Sequence, residues 1–377
     1  MTQDEFVELC ADGNYTQITE AIHSGIDPNK AGRLKGNPIL PIFVAASAGN
    51  KDAIRALAEN GTNCADGFTA ATIGQRMSIA NLLVKCGADI NALDSSGHTA
   101  ILTAVTMNRP DLLDDLIYLG GDVNVKSEAD HNALTYAAMM ASSPEHGELN
   151  PKIVSLLMEN GAEYYDAMML ALKTGNSEFA RLLIQGGADV NRIDEDGRSF
   201  VMYAVMIPAD SKNAQETSTE FLRTLLENGA DPDIPDSNGR TPLMIAAIDE
   251  ELDEGIIDTL LEFGADIDAQ DKKGLTALMW AVAGVDRSPN LMMPALIRTG
   301  GLRAEGWEKW CAFMSLFTAA KHGLQIDIVR RLIEHGADVN VIDSRGMNAI
   351  MYALMNGDDE TADILSDAGA QINFDLT

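Results

Sequence analysis

Asp236-Ser-Asn-Gly-Arg-Thr-Pro-Leu-Met-Ile-Ala-Ala247, followed after a polar break by Ile256-Ile-Asp-Thr-Leu-Leu-Glu-Phe-Gly-Ala-Asp-Ile-Asp268, reads as one structural unit. Asp236 to Gly239 has the composition of a tight turn. Thr241 is placed to cap a helix whose first position is Pro242, where a missing N–H costs nothing. Leu243, Ala246 and Ala247 give that helix a short apolar face. Ile256, Ile257, Leu260 and Leu261 recur at helical spacing and predict a second helix. Gly264 stops it, because glycine accepts the left-handed conformation that follows a helix end. Two helices this short cannot bury both faces against each other, so the unit needs neighbours of the same shape.

The chain supplies them. The stop glycine recurs at Gly25, Gly61, Gly87, Gly120, Gly161, Gly187, Gly229, Gly264, Gly300, Gly336 and Gly369, at a mean spacing of about 34 residues. Its flanking text repeats as well, in Gly87-Ala-Asp-Ile-Asn, Gly187-Ala-Asp-Val-Asn, Gly229-Ala-Asp-Pro-Asp and Gly336-Ala-Asp-Val-Asn. In both period and text the chain resembles the ankyrin repeat family, whose pattern is a turn, Thr-Pro-Leu-His-x-Ala, two helices and Gly-Ala-Asp-x-Asn. Thr241-Pro-Leu-Met-Ile-Ala-Ala is the nearest copy; Thr276-Ala-Leu-Met-Trp-Ala, Asn348-Ala-Ile-Met-Tyr-Ala and Thr99-Ala-Ile-Leu-Thr-Ala are looser ones. One departure is systematic: Met202, Met244, Met279 and Met351 stand where the family has histidine, which removes a polar link to the helix cap. This Leu-Met-x-Ala variant is similar to bacterial members of the family.

The resemblance implies an all-α fold, an ankyrin-repeat solenoid of about eleven helix pairs with about eight short β-hairpin turns. Residues 1–377 are expected to form a single solenoid. Residues 1–28 would be its N-terminal cap, opened by the capping box Thr2-x-x-Glu5 with Phe6 and Leu9 inward. Residues 337–377 would be its C-terminal cap. Residues 62–87 and 162–187 are short and lack the Asp-x-x-Gly turn, so they should enter their helices directly. Residues 121–161 and 188–229 are long, with extra polar residues between their helices. Residues 298–331 depart most from the pattern; Trp307, Trp310 and Phe313, three apart, are expected to be core, with an exposed aromatic anchor for a partner as the alternative.

The formal net charge is −30. That opposes contact with phosphate backbones or anionic membranes and favours a basic partner, or serves solubility. Residues 227–271 carry 14 carboxylates against Arg240 alone. Cys10, Cys64, Cys86 and Cys311 form no metal spacing with the histidines; Cys10 and Cys86 are expected in the core. The chain begins Met1-Thr-Gln-Asp-Glu, without a charged-then-apolar leader, and no apolar run approaches a membrane span, so a cytoplasmic location is expected, with a secreted effector as the alternative.

The motifs of catalysis are missing: no nucleophile elbow, zinc-protease pair, phosphate loop or dinucleotide fingerprint occurs. Asp189 to Gly197 looks like a calcium loop until aligned on Gly197, when Arg192 takes the first ligand position. The expectation is therefore no enzyme, no metal and no cofactor. The function expected is protein–protein recognition along the inner groove, by a monomeric adaptor, inhibitor or effector. The alternatives are an acidic nucleic-acid mimic that sequesters a basic DNA-binding protein and, more remotely, an enzyme accessory subunit. Nucleic acid itself is not expected to bind.

In the family, the places just after the first helix's small pair face the groove. Here they hold Met107, Met139, Met140, Met206, Ile207, Ile248 and Met355, an apolar strip suited to an apolar segment of a partner. Equally, these methionines could fill core gaps left by the short units. The residues preceding each Thr-Pro-like motif would form the rim: His98, His131, Arg198, Arg240, Leu275 and Met347.

Overall fold

The computed structural model describes residues 1–143, 148–206, 214–248, 254–283, 325–356 and 358–372. Ile207, Gly300, Trp307, Trp310, Cys311 and Phe313, all singled out above, lie outside them. The described helices form pairs, stacked first helix on first helix and second on second, in two compact units.

The first unit comprises Met1–Leu170 with Gln185–Ala188. Its pairs are α1 (Gln3–Asp12) with α2 (Tyr15–His23), α3 (Pro41–Ala48) with α4 (Lys51–Glu59), α5 (Ala65–Ile73) with α6 (Met77–Lys85), α7 (Ala100–Thr106) with α8 (Pro110–Tyr118), and α9 (Ala133–Ala141) with α10 (Pro151–Glu159). The next helix, α11 (Tyr165–Thr174), begins directly after its stop glycine, as α5 does. Both short repeats therefore lack a turn, as their length requires. The capping box at Thr2 and Glu5 is formed, and Phe6, Ile18, Ile54, Leu57, Phe68, Leu83 and Leu102 are fully buried between the layers. Each such side chain contributes about 1.5–3 kcal/mol. Leu9 and Cys86 are only half-buried, which corrects their expected core positions.

The second unit comprises Ala171–Ile184 and Asp189–Thr377. It holds α12 (Ser177–Gln185), α13 (Phe200–Met206) with α14 (Ala214–Glu227), α15 (Pro242–Ala246) with α16 (Glu254–Glu262), α17 (Ala277–Ala283), α18 (Gln325–Glu334), and α19 (Ala349–Asn356) with α20 (Asp359–Asp367). Helix α17 packs on both α18 and α19. The Asp338 N–H donates to the Asp268 carboxylate and the Ser344 N–H to the Lys273 carbonyl, each about 70 residues away, where the turn-to-turn bonds Glu128 to Gly97, Lys272 to Asn238 and Ser237 to Asp196 span about 31 to 41. Nine helix pairs pack on one another among the described residues, against about eleven expected, and residues 284–324 lie outside them.

The turns differ from the expectation of about eight hairpins. Only β1 (Gly32–Leu34) and β2 (Asn37–Ile39) form a two-stranded ladder among the described residues, antiparallel, with Arg33 opposite Pro38. Six others are single tight turns, starting at Asp94, Ser127, Asp194, Asp236, Asp271 and Asp343. In each, the first residue's N–H donates to the carbonyl four residues on. The turn at Asp194 adds one isolated antiparallel bridge, Ile193 opposite Ser199, which does not extend into a ladder.

Every expected stop glycine in the described residues has a positive φ, Gly264 at +86°. Thr241 caps α15 as anticipated, its hydroxyl accepting from the Met244 N–H with Pro242 in the first turn. The histidine-to-methionine exchange keeps a weaker version of the lost link: the Met244 thioether accepts from the Thr241 N–H at 3.4 Å.

Successive repeats are also clamped at their ends, and the Asn that closes Gly-Ala-Asp-x-Asn does the clamping. Asn124 Nδ2 donates to the next stop-glycine carbonyl, Gly161, at 2.9 Å, while its Oδ1 accepts from Glu163 N–H at 2.7 Å. Asn91, Asn191 and Asn340 repeat both bonds. The periodic Asn thus satisfies an orphan carbonyl at the end of a neighbouring helix, which cannot find its own partner.

Candidate partner-binding face

Each turn is held by its first side chain. In Asp94, Asp194, Asp236, Asp271 and Asp343, one carboxylate oxygen accepts from the N–H groups two and four residues ahead. Ser127 does the same with its hydroxyl. The second carboxylate oxygen is free to bind side chains, and what it binds differs from turn to turn. Asp194 accepts from Tyr203 at 2.5 Å and Asp343 from Tyr352 at 2.6 Å.

These tyrosines share a register. The fourth residue after the helix cap is Thr103, Tyr136, Tyr203, Ile245, Trp280 or Tyr352, one per regular repeat. Tyr136 lies edge-on to both His98 and His131, and its hydroxyl is 2.9 Å from His98 Nε2. The three tyrosines tie their turns to the first helix beneath, Tyr136 through Ser127 and His98, Tyr203 through Asp194 and Tyr352 through Asp343. Burial, then the bond to Asp343, push the Tyr352 hydroxyl up to about 12. Burial alone would raise Asp343, but donation from Tyr352 and from the Met347 and Arg345 N–H groups outweighs it and holds the carboxyl below its usual range. The sequence reading passed over this row. Its signal was available: a tyrosine in the variable place of the motif, nine residues after the turn's first residue, in three turns of six, and Trp280 in a fourth.

The expected strip and rim divide. Met107, Met139 and Ile248 are half-buried, and Met355 is 75% exposed beside Leu354 at 47%. His98, His131, Arg198 and Met347 are half-buried at the turns. Four residues named for the face are corrected. Met140 and Met206 are buried, at 6% and 5% exposure, and belong to the helix stack. Leu275 is buried with its carbonyl closing a turn. Arg240 is 4% exposed because Asp236, itself buried, accepts from its Nε at 2.8 Å. Ile207 lies outside the described residues.

Cys10 and Cys64 are buried. Burial pushes Cys10 up to about 12 and Cys64 to about 11, the latter helped by Cys86. Among the described residues no group of His, Cys, Asp and Glu is arranged to hold a metal ion, and no helix is long and apolar enough to cross a membrane.

A family model described as ankyrin repeats in three copies matches residues 68–166, 139–207, 211–291 and 302–375. Over 182 residues, 48% of the chain, it is 28% identical to the ankyrin repeat domain-containing protein SAT10 of Stachybotrys chartarum, covering 9% of that protein. Over 203 residues, 54% of the chain, it is 23% identical to the glycerophosphocholine phosphodiesterase gde1 of Schizosaccharomyces pombe, covering 13%. The aligned stretches thus span only about a tenth of the length of these curated relatives.

Proposed function

The chain belongs to the ankyrin-repeat family, and on that premise we propose that it is a non-catalytic recognition scaffold that grips a protein partner on its first helices and turns. Ankyrin repeats generally mediate protein–protein interaction, and specificity lies in the surface residues a given chain mounts on them. The observation that carries the reading is the half-exposed and exposed apolar set at one register place, Met139, Ile248 and Met355, with Met107 beside it. Methionine adapts to a partner's shape and is over-used on binding surfaces. The rim is His98, His131, Arg198 and Met347. A net charge of −30 steers a basic partner, or one with an exposed apolar segment, towards this face. The protein acts as a monomer in the cytoplasm, or in a host cell if it is delivered there. The phosphodiesterase likeness reaches 13% of that enzyme and brings no activity with it.

A photo-crosslinking side chain placed at Met139 or Met355, and separately at Tyr118 on a second helix, tests the reading in lysate of the native cell. One partner captured from the first two positions and not the third is expected. Capture from Tyr118 alone would place the partner on the opposite layer and refute it.

A further inference from the structure

The first unit contains an open cavity of about 400 Å³ between the segments that flank hairpin β1–β2, at Pro28, Asn29 and Leu40, and the turn that starts at Asp94. Its origin is the missing turn of the short repeat. Where neighbouring turns are both present they touch through backbone, as in the bond from Glu128 N–H to the Gly97 carbonyl at 3.1 Å. Helix α5 starts too soon after Gly61 for a turn to form, so the Asp94 turn has no neighbour on that side. The Asp66 carboxylate takes over the bonding, accepting from Ser95 N–H at 3.2 Å and from the Ser95 hydroxyl at 2.5 Å. It replaces the hydrogen bonds of a turn without replacing its volume.

The walls of this cavity are Leu40, Ile42 and Leu93 on the apolar side and Thr62, Asp66 and Asp94 on the polar side. Asp66 and Asp94 are each 8% exposed. Both accept only from N–H and O–H groups, Asp94 from Ser96, His98 and the Thr69 hydroxyl. No lysine or arginine among the described residues pairs with either. Two of the other turns balance the same carboxylate internally: Asp236 has Arg240 and Asp343 has Arg345. In the Asp94 turn the two equivalent places hold His98, whose ring is bonded to Tyr136, and Ser96. Thr62, nine-tenths buried in the wall, has a hydroxyl with no hydrogen-bond partner. Two desolvated carboxylates without a counter-charge are costly.

We propose that this cavity receives a cationic side chain, arginine above all, presented by a basic segment of a partner protein. The guanidinium is planar, weakly hydrated and able to meet two carboxylates at once, while its methylene stem suits the Leu40, Ile42 and Leu93 wall. The volume falls in the range of ligand-sized pockets. The site lies at the turn edge and does not depend on the apolar first-helix face proposed above.

The test uses the full chain with methyl-labelled Ile and Leu and the probe acetyl-Gly-Arg-Gly-amide, with the neutral citrulline peptide as its isostere. Saturable shifts of the Leu40, Ile42 and Leu93 methyls are expected with the arginine peptide and not with citrulline. Asp66→Asn should weaken binding about tenfold or more, the loss expected for a charge-assisted bond, whereas Asp115→Asn, an equal charge change on helix α8, should not. Leu93→Phe fills the cavity without touching its carboxylates; it should keep the melting midpoint and abolish the shifts, so a folding failure of Asp66→Asn leaves the question decidable. Equal shifts from citrulline, no saturable shift from arginine, or equal weakening by Asp115→Asn would overturn the proposal.

Discussion

Asp233→Asn should stabilise the second unit, and the reason lies in the clamp between repeats. Asn91, Asn124, Asn191 and Asn340 each donate to a stop-glycine carbonyl and accept from the N–H two residues beyond it. At the same place Asp233 can only accept. Both its oxygens lie 3.0 Å from the Asp266 N–H, and no described side chain donates to the Gly264 carbonyl. Burial raises the Asp233 carboxyl above its usual range; the Asp266 N–H opposes this, and the charges of Asp231 and Asp266 add to the rise.

The substitution restores the missing donor and removes one of three neighbouring charges. A net hydrogen bond is worth about 0.5–1.5 kcal/mol, and the lower half applies at a half-exposed site. For a cooperative unit of this size that is about 1–4 °C in melting midpoint. The pH dependence has a definite sign. An acid whose folded pKa is raised binds more protons folded than unfolded. The wild type is therefore spared the cost of the charge below the ordinary aspartate value and incurs it as pH rises through the raised one. Melting curves of wild type and variant by circular dichroism should diverge towards pH 7 and converge on acidification. A midpoint at pH 7 no higher than wild type, or a gain that does not shrink in acid, would falsify the clamp argument.

Gly264→Val should be strongly destabilising, near the upper end of the about 1–3 kcal/mol that a left-handed non-glycine residue costs, and Gly264→Asn much milder; equal melts would remove the stop-glycine reading. No atom lies within 4 Å of a Cβ built there, so the cost is conformational and not steric crowding. Arg240→Ala should cost about 3–5 kcal/mol in denaturant unfolding, because it strands the buried Asp236 charge. Burial alone would raise Asp236, but its bonds from Arg240 hold it below the usual range, so the stability it provides is present above the ordinary aspartate value and is lost as pH falls through the lowered one. A melt independent of pH across that acid window in wild type would count against this. Met206→Ser should lower the melting midpoint sharply as a buried truncation, whereas Met355→Ser should leave it unchanged and weaken partner capture; the reverse pattern would invert the assignment of core and face.

The repeat architecture was legible because it is written in backbone chemistry. A positive φ after each second helix demands glycine, and a first helix that follows a turn demands a cap, so Gly264 and Thr241 fix their elements wherever the period places them. The short repeats were legible for the same reason, since a missing Asp-x-x-Gly leaves too few residues for a turn. Two features were not. The hairpin count depended on how far pairing extends beyond each turn; among the described residues only 32–39 form a ladder, with one isolated bridge between Ile193 and Ser199. The bond between Asp338 and Asp268, 70 residues apart, departs from the period near 34 that the sequence shows.

The binding face shows why register is a weaker guide than period. Met139, Met206, Ile248 and Met355 occupy one place, the seventh after the helix cap, yet they range from 5% exposed at Met206 to 75% at Met355. Sequence fixes the angle at which such a side chain leaves its helix; how far it is covered depends on the helices beside it. Helix α19 has a stacked first helix on one side only among the described residues, and Met355 is open there. The Tyr136, Tyr203 and Tyr352 row behaves differently, because each hydroxyl has a polar partner fixed at the turn, which makes its position a matter of hydrogen bonding and not of coverage. Where a repeat protein binds is thus decided by the residues that its own stacking and its own polar anchors leave uncovered. In this chain the positions so left at the first-helix face, and proposed above as contacts, are Met355 and the half-covered Met107, Met139 and Ile248.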